Sequence, residues 1–129
     1  MGTELGIVAL YAFLIIAVAL LQVLAEMPSL GLGDLISARD EVRDGTAVVG
    51  RLDRALNNCV IGMALFAPAV LILSVKGLSP LPNAILAAQI FLFARVAYVV
   101  TYALGVPLLR TLAWAISVFA VIYLYILGL

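Results

Sequence analysis

The sequence predicts an all-α integral membrane protein, a four-helix transmembrane up-down bundle, on three observations. Hydrophobic residues make up 67% of the 129-residue chain and charged residues 11%, with a mean hydropathy of +1.29; soluble domains hold ~45–50% apolar residues. Four apolar runs approach the ~20 residues that a helix needs to cross ~30 Å of hydrocarbon. Between them lie one long charged connection and two short ones marked by proline and glycine. The chain therefore reads as a single transmembrane domain over 1–129. Zero net charge and a pI of about 6.1 exclude a basic nucleic-acid surface, so no nucleic-acid partner is expected. A lone cysteine, Cys59, and the lack of histidine exclude an internal disulfide, and no zinc, haem or other metal site is expected.

The first span covers 5–25, an apolar run broken only by Gln22. A cleaved secretory signal is the competing reading, since Ala17-Val18-Ala19 resembles a cleavage site, but no basic leader precedes the run and the apolar stretch continues past it. Residues 27–50 carry most of the charge. Pro28, Gly31, Gly33 and Gly45 there predict a water-exposed loop. The second span, 52–75, contains Pro68, which should bend it. Lys76-Gly77 and the Pro80/Pro82 pair close it in a short loop. The third span, 83–104, holds Arg95 well inside its apolar run. Gly105-Val106-Pro107 breaks that helix, and the fourth span covers 108–128 with Arg110 at its start.

Basic residues set the orientation, because Lys and Arg concentrate on the cytoplasmic side of a membrane. Arg39, Arg43, Arg51, Arg54 and Arg110 fall at one end of the spans and Lys76 at the other. Both termini are therefore expected outside and the arginine-rich loops in the cytoplasm.

Polar residues are carried from that end into the membrane. At ~100° per residue, Arg51, Arg54, Asn58 and Ile61 share one face of the second helix. Arg95 is the most informative of the set, since an arginine at the centre of a span costs about 2.5–3.5 kcal/mol. It lies about nine residues from the end of its helix, roughly 14 Å at the helical rise, too far to snorkel with ease. It is expected to point into the bundle, with Tyr98 and Tyr102 on the same face. Apart from Glu4, every acidic residue falls between Glu26 and Asp53, so no carboxylate lies deep in a span. Negative charge must come from Asp53, from a neighbouring subunit's loop, or from a bound anion, whose carboxylates or phosphate suit guanidinium forks. Arg51 and Arg54 also suit simple anchoring at the interface, Asn58 suits interhelical packing, and Tyr98 and Tyr102 suit the core. Cys59 is expected to be inert at lipid depth. No broken helix or repeated half supports a transporter.

Two segments carry a likeness to a known family. Arg54-Ala55-Leu56-Asn57-Asn58 with Leu65-Phe66 resembles the RAxxNxxE segment of the membrane-associated proteins in eicosanoid and glutathione metabolism, the MAPEG family. Arg95-Val96-Ala97-Tyr98-Val99-Val100-Thr101-Tyr102 resembles its RVxHxxxY segment. Arg110-Thr111 after Pro107 is similar to the arginine that opens the family's fourth helix, and Ala38-Arg39-Asp40-Glu41 looks like bacterial members. The resemblance implies a homotrimer in a bacterial inner membrane, in contact with membrane lipids, binding glutathione between subunits near the cytoplasmic side and acting on a lipophilic small molecule. It implies that Arg54, Asn58, Arg95, Tyr98, Tyr102 and Arg110 line the glutathione site and that Arg110 stabilises its thiolate for transfer or peroxide reduction; Arg51, on the same helix face as Arg54, is counted with the binding residues. One position departs from the pattern: the family's glutamate falls at Ile61, which cannot pair with an ammonium group. A non-catalytic relative holding a lipid or fatty-acid headgroup on the same arginines is the alternative.

Overall fold

The computed structural model describes residues 2–36 and 47–129, with side chains over 2–25 and 49–129. Four helices follow one another: α1 (Glu4–Ile36), α2 (Ala47–Val75), α3 (Pro82–Leu104) and α4 (Pro107–Gly128). Each contains a stretch long and apolar enough to cross a membrane, Glu4–Ala25, Val49–Val75, Pro82–Leu104 and Pro107–Gly128. The helix backbone outlasts the apolar stretch in α1, which runs through Pro28, Gly31 and Gly33 to Ile36, where the sequence suggested a loop from residue 27. α2 likewise begins at Ala47, ahead of the loop end expected at residue 50. A proline removes one intrahelical hydrogen bond and each glycine adds about 1 kcal/mol, amounts that weaken a helix without having to end it. The remainder of the expected loop, 37–46, lies outside the described residues. α2 also passes through Pro68 without interruption.

Helix ends are set by local chemistry. α3 and α4 each open on a proline, whose missing N–H would be unpaired in a first turn anyway. α3 closes at Gly105, which adopts φ 75°; its N–H bonds the Tyr102 carbonyl at 3.1 Å and that of Val106 bonds Thr101 at 3.0 Å. This tight reversal brings the start of α4 back beside the end of α3, and these two helices pack together most extensively. α2 touches all three others, whereas α1 and α4 do not meet among the described residues, so they flank the α2–α3 pair from different sides.

The core between α1, α2 and α3 is aromatic and close-packed. Phe66 and Phe91 stack with centroids 4.2 Å apart, and Tyr11 meets both edge-on at 6.0 and 4.9 Å. The end remote from the arginines is held by two charges on helix termini. The buried Glu4 accepts from the Leu81 N–H at 3.0 Å and from the Ser79 hydroxyl at 2.6 Å, at the positive end of the α3 dipole. Lys76 donates to the Gly128 carbonyl at the negative end of α4.

Candidate anion site

Arg95 is 2% exposed and lies where α2 and α3 cross. Its Nη2 donates to Asn58 Oδ1 at 2.7 Å and sits 3.5 Å from Cys59 Sγ, while its Cζ stands 4.5 Å from the centre of the Tyr98 ring. Its Nε, also buried, has no hydrogen-bond partner among the described residues. The guanidinium therefore points inward, as its transfer cost requires, with one amide and one π-face to meet it and part of its donor capacity unused.

Tyr11 of α1 completes this inner layer, a residue to which sequence reasoning attached no role. Its hydroxyl donates to the Cys59 carbonyl at 2.6 Å. Gly62 makes the approach possible, because a Cβ there would lie 2.7 Å from the Tyr11 oxygen and 3.6 Å from Arg95 Cζ. The available signal was a lone mid-span tyrosine, an aromatic whose hydroxyl needs a partner when buried in lipid.

Toward the arginine-rich end a second layer follows. Tyr98 and Tyr102, one helical turn apart, contact edge-to-face at 5.5 Å. The Tyr102 hydroxyl accepts from Arg54 Nε at 3.0 Å, and the Arg54 and Arg110 guanidinium carbons lie 5.8 and 4.6 Å from its ring centre. Asn58, Arg95, Tyr98, Tyr102, Arg54 and Arg110 thus form one connected set drawn from three helices. Arg51 is placed elsewhere. It donates to the Ala103 carbonyl at 3.4 Å and its guanidinium lies against Gly105, which makes it a cation on the C-terminus of α3.

Among the described residues no carboxylate pairs with Arg54, Arg95 or Arg110. Asp53, adjacent in sequence to Arg54, turns to the other side of α2 and accepts from Gln22 Nε2 of α1 at 2.9 Å. A cavity of about 360 Å³ opens between α2, α3 and α4, with Arg95, Asn58, Ile61 and Gly62 on one wall and Trp114 and Tyr125 on the other. The exposed Ile61 adds an apolar side chain to the wall that carries Arg95 and Asn58. This combination of uncompensated cations, tyrosine hydroxyls and an apolar recess suits an anion that carries or accompanies a lipophilic group.

Comparison with curated proteins and with solved structures finds no match. The family comparison does, over residues 5–129 and so over both arginine layers and all four helices. With four membrane-length helices and that near-complete match, the chain belongs to the MAPEG family.

Proposed function

We propose that the Arg54, Tyr102 and Arg110 cluster binds glutathione and that the protein is a glutathione-dependent transferase or peroxidase acting on a lipophilic electrophile. The observation that carries this reading is the convergence of two guanidiniums on one tyrosine ring with no described carboxylate to neutralise them. The donor set fits the acidic parts of the tripeptide: Arg54 and Arg110 would take its carboxylates, and Arg110, at the start of α4, would hold the thiolate. When bound, glutathione supplies the sulfur nucleophile. The chain's own part is to hold that sulfur as its anion, which a guanidinium favours over the neutral thiol, and to shield it behind the apolar walls of the adjoining cavity. The amino end of the tripeptide finds no acceptor at Ile61. A homotrimer with the site between chains, its arginine-rich end in the cytoplasm of a bacterial cell, is the arrangement that family membership favours.

The test is conjugation of glutathione to an aryl halide by purified protein, alongside Arg110→Ala. Activity in the parent and its loss in the variant are expected, with little change in thermal stability because Arg110 is partly exposed and makes no buried ion pair among the described residues. Absence of activity in both proteins would overturn the enzymatic reading. The second reading, a fatty acid or lipid held by its headgroup, is favoured by the unsatisfied Nε of Arg95 and the apolar wall at Ile61. It predicts an anionic lipid in the mass spectrum of the purified protein that is absent from Arg95→Gln.

A further inference from the structure

We infer that the thiol this site selects carries no free ammonium group, its amine being blocked by an acyl group that the adjoining cavity receives. This rests on the arginine cluster being a thiol-peptide site, as proposed above, and narrows the class of thiol from glutathione itself to an N-acylated relative. Glutathione has two carboxylates, and one of them shares its carbon with an ammonium group. The chain offers two stations for carboxylates. The outer one is the pair Arg54 and Arg110 about Tyr102; the inner one is Arg95, which lines the cavity and whose buried Nε lacks a partner. A carboxylate that reaches Arg95 brings its neighbouring substituent to the wall formed by Arg95, Asn58 and Ile61.

An ammonium group is repelled at that wall. Arg95 is 2% exposed, so its charge is weakly screened, and a like charge beside it is disfavoured. Asn58 Oδ1 already accepts from Arg95 Nη2 at 2.7 Å, which leaves that amide with donors to offer, and the Tyr11 hydroxyl is donated to the Cys59 carbonyl. Depth separates this level from the acidic stretch of the chain. Along α1, Glu26 lies about four turns past Tyr11, about 22 Å at the helical rise; along α2, the start at Ala47 lies about 16 Å short of Asn58. Asp53 is nearer but turns to Gln22 on the α1 side. An acyl group on the same nitrogen removes the positive charge, and its carbon chain enters a cavity of about 360 Å³ with Ile61, Phe91 and Trp114 among its walls. A methylene takes up about as much space as a water molecule, ~30 Å³, so the cavity has room for a chain of up to about a dozen carbons.

The test is calorimetry on purified full-length protein with glutathione, with its desamino analogue, in which hydrogen replaces the ammonium group, and with N-hexanoylglutathione. The two thiols that lack the ammonium should bind about tenfold or more tighter than glutathione. N-hexanoylglutathione should bind tightest, because its chain leaves water for the cavity. Trp114 is the only tryptophan and lines that cavity, so its emission should shift with N-hexanoylglutathione and not with the desamino analogue. Ile61→Glu, at an exposed position, supplies a carboxylate for the ammonium and should reverse the preference toward glutathione. Glutathione binding as tightly as either analogue, Trp114 emission that ignores the hexanoyl chain, or a preference unmoved in Ile61→Glu would overturn the inference and leave the thiol site standing. Failure of all three thiols to bind would overturn the site itself, and the inference with it.

Discussion

Gly62→Ala is the substitution whose effect follows most directly from the geometry. In an exposed helix this change adds about 1 kcal/mol of stability through helix propensity. Here the new methyl would lie 2.7 Å from the Tyr11 hydroxyl oxygen, and something must move. Tyr11 is fully buried, packed edge-on against the stacked Phe66 and Phe91, so its ring cannot simply swing into lipid. Overfilling a packed site typically costs about 1–3 kcal/mol, and displacement of the hydroxyl from the Cys59 carbonyl removes a further ~0.5–1.5 kcal/mol. Against the propensity gain, a net loss of about 0.5–3.5 kcal/mol is expected. The assay is reversible unfolding in mixed micelles by titration with a denaturing detergent. The diagnostic comparison is a double-mutant cycle with Tyr11→Phe, which deletes the oxygen that the methyl strikes. In that background Gly62→Ala should cost less, with a coupling of at least about 0.5 kcal/mol. Equal or greater stability of Gly62→Ala, or the same penalty in both backgrounds, would show that the close approach of α1 to α2 is not as described.

Four further substitutions address other parts of the molecule. Ile61→Glu places a carboxylate beside Arg95 and Asn58; recovery of a charge-assisted hydrogen bond of about 1.5–3 kcal/mol should tighten glutathione binding tenfold or more by calorimetry, and unchanged affinity would place the tripeptide elsewhere. Glu4→Ala should release the start of α3, since the Leu81 N–H and the Ser79 hydroxyl both lose their acceptor; deuterium uptake over 77–85 should quicken while uptake around Arg95 is unaffected. Gly105→Ala forces a side chain into φ 75° and brings its methyl within 3.1–3.3 Å of the Arg51 guanidinium, so a loss of about 1–2 kcal/mol is expected on unfolding, with Arg51→Gln giving a smaller one.

What the sequence determined by itself were the quantities that depend on one helix at a time. Apolar run length set the four helices, Gly105 and Pro107 set the turn between the last two, and the transfer cost of a guanidinium required Arg95 to face inward. Those are local energies, legible from composition and period. Which group meets each polar side chain depends on how helices remote in sequence cross, and only the tertiary structure decided it. Asn58 rather than a carboxylate receives Arg95, Asp53 turns to Gln22 and away from its neighbour Arg54, Arg51 goes to the end of α3, and Tyr11 enters the cluster because Gly62 leaves room. The run of α1 beyond its apolar stretch was hidden for a related reason: hydropathy records where a helix can meet lipid, and the hydrogen bonds that carry its backbone to Ile36 do not depend on lipid at all.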